Sequence, residues 1–253
     1  CDWVYIDKTP LLMAWVVFCI QGLGLLIRGC RDYFARGWID LCNYVATAQF
    51  LVDFSFYSSP DQILNTPYIF LALSKKDDRR GQSVLNGFYS VITGHEASVV
   101  AGPTMLLTAP LTSFAVYLVA SSYGVSRRSS VWAGLFAGAL PGLAMIHLEC
   151  FFSQALAVPF LLLWPYILFR CFDRPSKIWL LFSSAFLAAA TSFYTEFSPI
   201  FLGLILVFAG MKCLQEGRSF YARNVFLLVG ICLGAMAWNP FFVTRAWGIY
   251  QRV

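Results

Sequence analysis

Long apolar runs alternate with short polar segments along this chain. Seven runs are rich in Leu, Ile, Val, Phe and Ala, and they cover residues 11–27, 105–123, 131–148, 154–170, 178–194, 198–212 and 224–238. A helix needs about 20 mostly apolar residues to cross a bilayer, with a range of about 17–25. The last two runs are short by this measure and must include flanking residues. The pattern predicts an all-α fold, a polytopic transmembrane helical bundle of about seven spans.

The composition agrees with this pattern. Of the 253 residues, 59% are hydrophobic and 12% are charged, whereas soluble domains carry about 25% charged residues. This excludes an ordinary soluble domain. The net charge of +5 comes from short basic clusters between the apolar runs, which indicates membrane topology rather than nucleic-acid binding.

The segments between the runs sort by charge. Lys and Arg occur in "YGVSRRSS" (123–130), "RCFDRPSK" (170–177) and "MKCLQEGRSFYAR" (211–223), but not in 147–154 or 193–199. Cytoplasmic loops carry an excess of Lys and Arg. The alternation therefore predicts that the basic segments are cytoplasmic and that 147–154 and 193–199 are extracytoplasmic.

Residues 28–104 form a long segment after the first run. Counting back through the alternation places it outside, and long translocated segments are largely exempt from the charge rule, so its "KKDDRR" (75–80) is compatible with that side. We expect amphipathic helices along the membrane surface here. The whole chain, 1–253, is predicted to be one membrane domain. Since it begins at Cys1 and stops just after the seventh run, we expect it to be part of a longer protein.

Ionisable residues gather at the predicted outer helix ends. They include both histidines of the chain and three of its four glutamates: His95, His147, Glu96, Glu149 and Glu196. Ionisable groups near membrane depth usually face a cavity or a partner and have a function. Simpler explanations stay open: Glu196 as a helix cap in the headgroup layer, and His147 paired with Glu149 in an ordinary loop.

Two more positions in the first outer segment attract attention. Asp40 follows the first run closely and precedes "NYVATAQFL", so its carboxylate can reach a cleft at the membrane surface. In "DRRGQS" (78–83), the charged residues precede an apolar stretch and can begin a helix, although "KKDDRR" as a solvated charge run is the plainer interpretation.

The order of these features resembles the GT-C class of integral-membrane glycosyltransferases. The similarity is greatest to the bacterial branch related to protein mannosyltransferases and lipid A aminoarabinose transferases. The segments that carry it are "GWIDLCNYVATAQFL" (37–51), "DDRRGQS" (77–83), "LPGLAMIHLECFFSQALAVPFLL" (140–162) and "TSFYTEFSPIFL" (191–202). It covers residues 37–210. Asp40 departs from the pattern, since it lacks the adjacent acidic partner of many members.

The resemblance implies an inverting transfer of a sugar from a polyprenyl-phosphate donor on the extracytoplasmic face. Asp40 would be the general base, within about 2.6–3.2 Å of the acceptor hydroxyl. Arg79 or Arg80 would bind the leaving phosphate through its fork of donors. The other implied substrate-binding residues are Tyr44, Asp78, His95, Glu96, His147, Glu149, Gln154 and Glu196.

The same resemblance implies the surroundings of the reaction. The protein would be an integral protein of the bacterial inner membrane, in contact with membrane lipid. Its acceptor would be a glycan, a lipid or a protein. A divalent cation stays open as a cofactor because Asp40 stands alone, and no metal ligands are assigned. We expect no nucleic-acid partner.

Two other classes compete with the enzyme. An accessory subunit of a larger membrane complex would explain the 24 Phe, 12 Tyr and 8 Trp as docking residues, with the histidines as pigment or haem ligands. A transporter would show paired repeats or broken helices in matching halves, which the seven unequal runs lack. The eight cysteines contain no CxxC pair, and a Cys30–Cys42 disulfide stays open.

Overall fold

The computed structural model describes most of the chain, namely residues 8–28, 38–54, 80–140, 152–194 and 218–239 and a few helical positions between 200 and 210. These residues form helices and contain no β-strand. The helices are α1 (Thr9–Arg28), α2 (Trp38–Asp53), α3 (Arg80–Thr93), α4 (Ala97–Leu106), α5 (Thr108–Ser122), α6 (Arg127–Ala139), α7 (Phe152–Asp173), α8 (Lys177–Phe193) and α9 (Arg218–Trp238). The predicted all-α fold is confirmed for this part of the chain.

Local sequence explains several helix ends. Ser126 and Ser176 precede α6 and α8, and each hydroxyl accepts a hydrogen bond at 3.2 Å from a backbone N–H three residues later. Such caps satisfy donors that have no partner inside the helix. After α3 and α5 the chain turns at Gly94 and Gly124, with φ of 68° and 78°. This left-handed conformation favours glycine.

The chain divides into two compact units. The first comprises residues 1–78 and 82–155, and the second comprises 79–81 and 156–253. The first unit therefore contains α1, α2, α4, α5 and α6, nearly all of α3 and the first turn of α7. The second contains the rest of α7 with α8 and α9.

Small residues let the helices of the first unit approach closely. In α6, Gly134 and Gly138 are buried one turn apart. A Cβ at Gly138 would lie 2.8 Å from both Ser113 Cβ of α5 and Val17 Cγ1 of α1, and 3.0 Å from the Ala109 carbonyl oxygen. Only a residue without a side chain fits this junction. Small residues at i and i+4 are typical of helix pairs in membranes.

The contacts also fix helix directions in the first unit. Arg127 at the start of α6 donates a hydrogen bond to Thr9 at the start of α1. Near the other end, Gln21 Nε2 donates to the Gly138 carbonyl at 3.1 Å. Thus α1 and α6 run in the same direction. The short α5–α6 connection makes α5 antiparallel to both.

A proline separates α4 from α5. Pro110 has no N–H and cannot bond the carbonyl four residues earlier, at Leu106, where α4 ends. The chain continues through Leu107 with little change, because the Leu111 N–H bonds the Leu107 carbonyl at 3.1 Å. Together the two helices form a nearly continuous stretch, Ala97–Ser122.

The second unit has an aromatic core. Trp164 of α7 is fully buried, and its Nε1 donates to the Ser183 carbonyl of α8 at 3.0 Å. The Phe160 ring stacks on Phe193, with ring centroids 5.5 Å apart. The buried cluster consists of Trp164, Leu168, Cys171, Phe172, Ala190 and Ile231. Because Trp164 and Phe160 meet α8 in reverse order, α7 and α8 are antiparallel.

Helices α8 and α9 pack closely and run in the same direction. A Cβ at Gly230 would lie 3.5 Å from Leu180 Cδ1, and one at Gly234 would lie 2.8 Å from Ser184 Cβ. Beyond this, Asn239 Nδ2 donates to Ser192 Oγ at 2.8 Å.

The outward faces of the described helices are apolar. On α1 the exposed large hydrophobic residues are Leu11, Leu12, Trp15, Val16, Ile20, Leu23 and Ile27. On α9 they are Val225, Phe226, Val229, Leu233, Met236 and Trp238. Soluble monomers rarely expose apolar patches of more than a few hundred Å². These surfaces are therefore suited to contact with an apolar neighbour.

Two helical stretches are long and apolar enough to cross a membrane, Ala97–Ser122 with 26 residues and Ser153–Asp173 with 21. Shorter apolar helices are Thr9–Leu23, Lys177–Phe193 and Asn224–Trp238. The fold thus contains two candidate spans by length and composition among the described residues. The number of seven spans stays a prediction.

Helix bounds differ from the predicted runs in several places, and one of them is α9, which begins at Arg218 rather than at residue 224. The predicted run 105–123 begins at Ala97 instead, because α4 precedes it without a loop. The run 131–148 begins at Arg127, while 141–148 lies outside the described residues, as does most of 198–212. The predicted outer segment 28–104 contains α2 and α3, and its last residues belong to α4.

The junction at Gly138 can be tested by Gly138→Ala. The added Cβ has no space between α1, α5 and α6, so we expect a loss of about 1–2 kcal/mol in unfolding free energy, because overpacking outweighs the better helix propensity of Ala. SDS-induced unfolding of the purified protein in detergent micelles measures this. Gly203→Ala is the matched control, since no heavy atom lies within 4 Å of its added Cβ. Equal effects of both changes would contradict the close packing.

Candidate functional site

Helix α3 has its polar side inward. Its buried polar residues follow a helical spacing of 1, 4 and 8 and are Gln82, Ser83, Asn86 and Ser90. Its outward residues are 53% to 66% exposed and apolar: Val84, Phe88, Val91 and Ile92. A helix packed on the core of a soluble protein buries its apolar face and exposes its polar face. The inward face of α3 therefore supplies the polar interior of the first unit.

Two of these side chains have hydrogen-bond partners on other helices. Gln82 Oε1 accepts from Ser153 Oγ of α7 at 3.3 Å, and Gln82 Nε2 lies 3.9 Å from Met105 Sδ of α4. Ser83 Oγ donates to the Tyr44 carbonyl of α2 at 3.3 Å. Uncharged groups thus join α3 to α2, α4 and the first turn of α7.

Other groups beside this face have no partner. Asn86 is 0% exposed, yet neither its Nδ2 nor its Oδ1 makes a hydrogen bond. Gln154, a predicted substrate-binding residue next to Ser153, is half-buried and leaves Oε1 unpaired. A buried group without a partner costs about 1–3 kcal/mol. Such a group needs an explanation, and a polar ligand that pairs with it is one.

Helix α2 approaches α3 at a glycine. A Cβ at Gly87 would lie 3.3 Å from the Ala48 carbonyl oxygen and 3.7 Å from Val52 Cγ2. The predicted Tyr44 lies one turn before Ala48, and its carbonyl is the acceptor for Ser83. Asp40 lies one further turn back in α2. The Asp40 position therefore lies one helical turn from the contact between Tyr44 and Ser83.

The turn between α3 and α4 forms an open polar cavity of about 530 Å³. Its lining residues are Gly94, His95, Glu96, Ser98 and Val99. The His95 and Glu96 side chains are exposed, and Ser98 Oγ donates to Glu96 Oε2 at 3.3 Å. Two predicted substrate-binding residues therefore share a cavity large enough for a sugar ring.

The turn is held from both sides. Ser90 Oγ of α3 donates to the His95 carbonyl. On α2, Gln49 Oε1 accepts from the Ala97 N–H at 3.0 Å, while Gln49 Nε2 donates to Asp53 Oδ1 at 3.0 Å. Glu96 precedes α4 but makes no side-chain cap. Gln49 therefore caps α4 in its place and fixes the position of the cavity.

The structure describes only part of the predicted site. The positions that lie outside the described residues are Asp78, Arg79, His147, Glu149 and Glu196. Asp40 and Arg80 belong to α2 and α3, but their side chains also lie outside the description. A helix does begin in "DRRGQS", at Arg80, as one of the two interpretations of this segment allowed. That all these residues lie at one site stays a prediction.

The cysteine and metal predictions also depend largely on residues outside the described ranges. Cys30 and the side chain of Cys42 lie outside the described residues, and the described Cys19, Cys171 and Cys232 are free. Within the described ranges, no group of three His, Cys, Asp or Glu residues could hold a metal ion. The divalent cation therefore stays a prediction without a described ligand set.

Sequence reasoning missed the polar face of α3. The sequence "RGQSVLNGFYS" places Gln82, Ser83, Asn86 and Ser90 on one side of a helix. It does not indicate which side of that helix is buried. Gln49 was also missed, since a glutamine that caps another helix carries no local signal. The arrangement offers uncharged donors and acceptors, with one carboxylate and one imidazole at its open end. Such groups suit the hydroxyls of a sugar.

Comparison with known proteins gives no relatives: no family model, curated protein or solved structure matches the chain.

Gln49→Leu tests the capping of α4. Without the acceptor, the Ala97 N–H loses its partner, and we expect the first turn of α4 to be destabilised by about 0.5–2 kcal/mol. Hydrogen exchange of the amides in this turn should become about 2–30-fold faster. Ser98→Ala is the control, because it removes only an exposed contact to Glu96. Unchanged exchange in Gln49→Leu would refute the capping role.

Proposed function

We propose that this chain is an integral membrane protein of about seven spans that transfers a sugar from a polyprenyl-phosphate donor to an acceptor hydroxyl. Asp40 is the general base. The reaction takes place on the extracytoplasmic face of a bacterial inner membrane. The acceptor is a glycan, a lipid or a protein.

The observation that carries the proposal is the polarity of α3. Its apolar side faces outward and its polar side faces inward, where Asn86 and Gln154 retain unpaired hydrogen-bonding atoms. The apolar outward side of α3 suits contact with lipid, and its polar inward side suits contact with a polar substrate. With 14 residues, α3 is too short to span a bilayer, so it suits a position at the membrane surface.

The helix directions support the proposed topology. The alternation of basic loops requires α1 and α6 to run in the same direction, with α5 opposed to both, and they do so within the first unit. It also requires α8 and α9 to be parallel, with a further span between them. Their contacts are parallel, and the described positions between them, such as 205–207, are helical.

The proposed chemistry is a single in-line displacement. The Asp40 carboxylate takes the proton of the acceptor hydroxyl, and the oxygen forms a bond to the anomeric carbon. The bond from this carbon to the phosphate oxygen breaks, and its electron pair leaves with the polyprenyl phosphate. The configuration at the anomeric carbon inverts. Arg79 or Arg80 stabilises the negative charge on the departing phosphate.

The remaining predicted residues hold the substrates. His95 and Glu96 line the open cavity, and the Gln154 Oε1 is free to accept a hydrogen bond. Tyr44 is anchored to α3 through its carbonyl. Asp78, His147, Glu149 and Glu196 are further proposed substrate-binding residues.

Asp40→Asn tests the catalytic role. The amide keeps the size of the side chain but cannot take up the proton, so we expect the rate to fall by about 10²–10⁴-fold. The measurement is transfer of radiolabelled sugar from polyprenyl-phosphate donors in membranes that contain the protein. Asp173→Asn, at the exposed end of α7, is the control and should retain activity. If the wild-type protein transfers no sugar from any donor, the accessory-subunit function takes its place.

Topology can be tested with a thiol reagent that does not cross membranes. Single cysteines replace Ser98 and Ser129, both exposed, at the starts of α4 and α6, in a variant without native cysteines. We expect Ser98→Cys to be labelled on intact cells and Ser129→Cys only after permeabilisation. Resistance of the protein to extraction with alkaline carbonate is the companion measurement. Labelling of both from outside would contradict the topology.

A further inference from the structure

We propose that Asn86, together with Gln154, binds the hydroxyl groups of the sugar rather than the phosphate of the donor. This inference rests on the proposed function for the nature of the ligand. Neither the resemblance nor the sequence pattern singled out Asn86. It locates sugar recognition on the inward face of α3.

The hydrogen-bonding state of Asn86 defines the kind of group it accepts. Its Nδ2 can donate and its Oδ1 can accept, and neither atom has a partner although the side chain is fully buried. A hydroxyl both donates and accepts, so a pair of adjacent sugar hydroxyls satisfies both atoms of an amide. An anion would satisfy only Nδ2 and would leave Oδ1 unpaired.

The neighbours of Asn86 extend this polar surface. Gln82 lies one turn away on the same face of α3 and is bonded to Ser153. Gln154 follows Ser153 in α7 and leaves its Oε1 unpaired. Residues four apart on a helix are about 5–6 Å apart at Cβ. Gln82 and Ser153 therefore link the two residues with unpaired atoms, Asn86 and Gln154, in one short polar cluster.

The described cluster is uncharged. Its side chains are amides and hydroxyls, namely Gln82, Ser83, Asn86, Ser90, Ser153 and Gln154. Buried neutral groups recognise neutral polar ligands, and a phosphate is matched by Arg or Lys. The chemistry therefore separates the two parts of the donor, with the sugar hydroxyls on the inward face of α3 and the phosphate at a basic residue elsewhere.

Since Asn86 is closed off in this conformation, the sugar must displace its present neighbours to reach it. A ligand that pairs both atoms of Asn86 stabilises such an opened state through its differential affinity. The apolar outward face of α3, in lipid, has few specific contacts that would oppose this displacement.

The test uses monohexosyl diacylglycerols, with glucosyl, galactosyl and mannosyl headgroups, titrated into phosphatidylcholine nanodiscs that contain the full chain. Binding is read by native mass spectrometry against the same diacylglycerol without a sugar. We expect saturable binding of at least one headgroup. In Asn86→Leu, binding should weaken at least tenfold, while the unfolding midpoint without ligand stays equal or rises, because an unpaired buried amide is removed.

Ser113→Ala is the matched control, since Ser113 Oγ is also buried and unpaired but faces the α5–α6 junction. It should leave binding unchanged. If Asn86→Leu does not fold, Gln154→Leu is the second test, at a half-buried position. It should also weaken binding.

Three results would overturn the inference: no headgroup bound by the wild type, equal binding by Asn86→Leu, or equal losses in Asn86→Leu and Ser113→Ala. The proposed function fails separately. Headgroup binding that depends on Asn86, without any sugar transfer, supports the inference and refutes the enzyme. Transfer that depends on Asp40 but not on Asn86 does the reverse.

Discussion

Close contact of helix backbones at glycine positions is the interaction on which both units depend. At Gly138 three helices meet with no space for a methyl group, and Gly234 allows the same approach between α8 and α9. When the outward faces are apolar, burial of apolar area distinguishes little between packed and separated helices in lipid. Shape at the contact then determines which helices pair, and the directions of the helices follow from it.

The same constraint explains where polar groups lie. Threonine hydroxyls in α4 and α5 bond back to carbonyls three or four residues earlier in the chain, as Thr104 does to Val100 at 2.8 Å. They can be buried without a partner on another helix. The amides of α3 and α7 have no such local solution, so Gln82 bonds across to Ser153 while Asn86 is left unpaired. Among the described residues of the first unit, buried amide side chains therefore lie on the inward face of α3, at Gln82 and Asn86.

Much of the helix content could be predicted from the sequence, because long apolar runs specify helices whatever surrounds them. The bounds were harder. In 97–104, small residues and a proline hid the start of α4, and in α6 the first turn is basic and polar with a serine cap. Of the predicted substrate-binding residues, His95 and Glu96 share a cavity, and their role stays a prediction. Asn86 was not predicted, because a missing partner is a property of the packed structure and not of any local pattern.

The pairing of α8 with α9 has a consequence for synthesis. When α8 leaves the ribosome, its face around Ser184 has not yet met its glycine partner, because another apolar segment must emerge before α9 does. Until then, nascent α8 has only its hairpin with α7. The packing described for the second unit is therefore complete only when α9 has been made, and interrupted translation before that point leaves an incomplete bundle for quality control to remove.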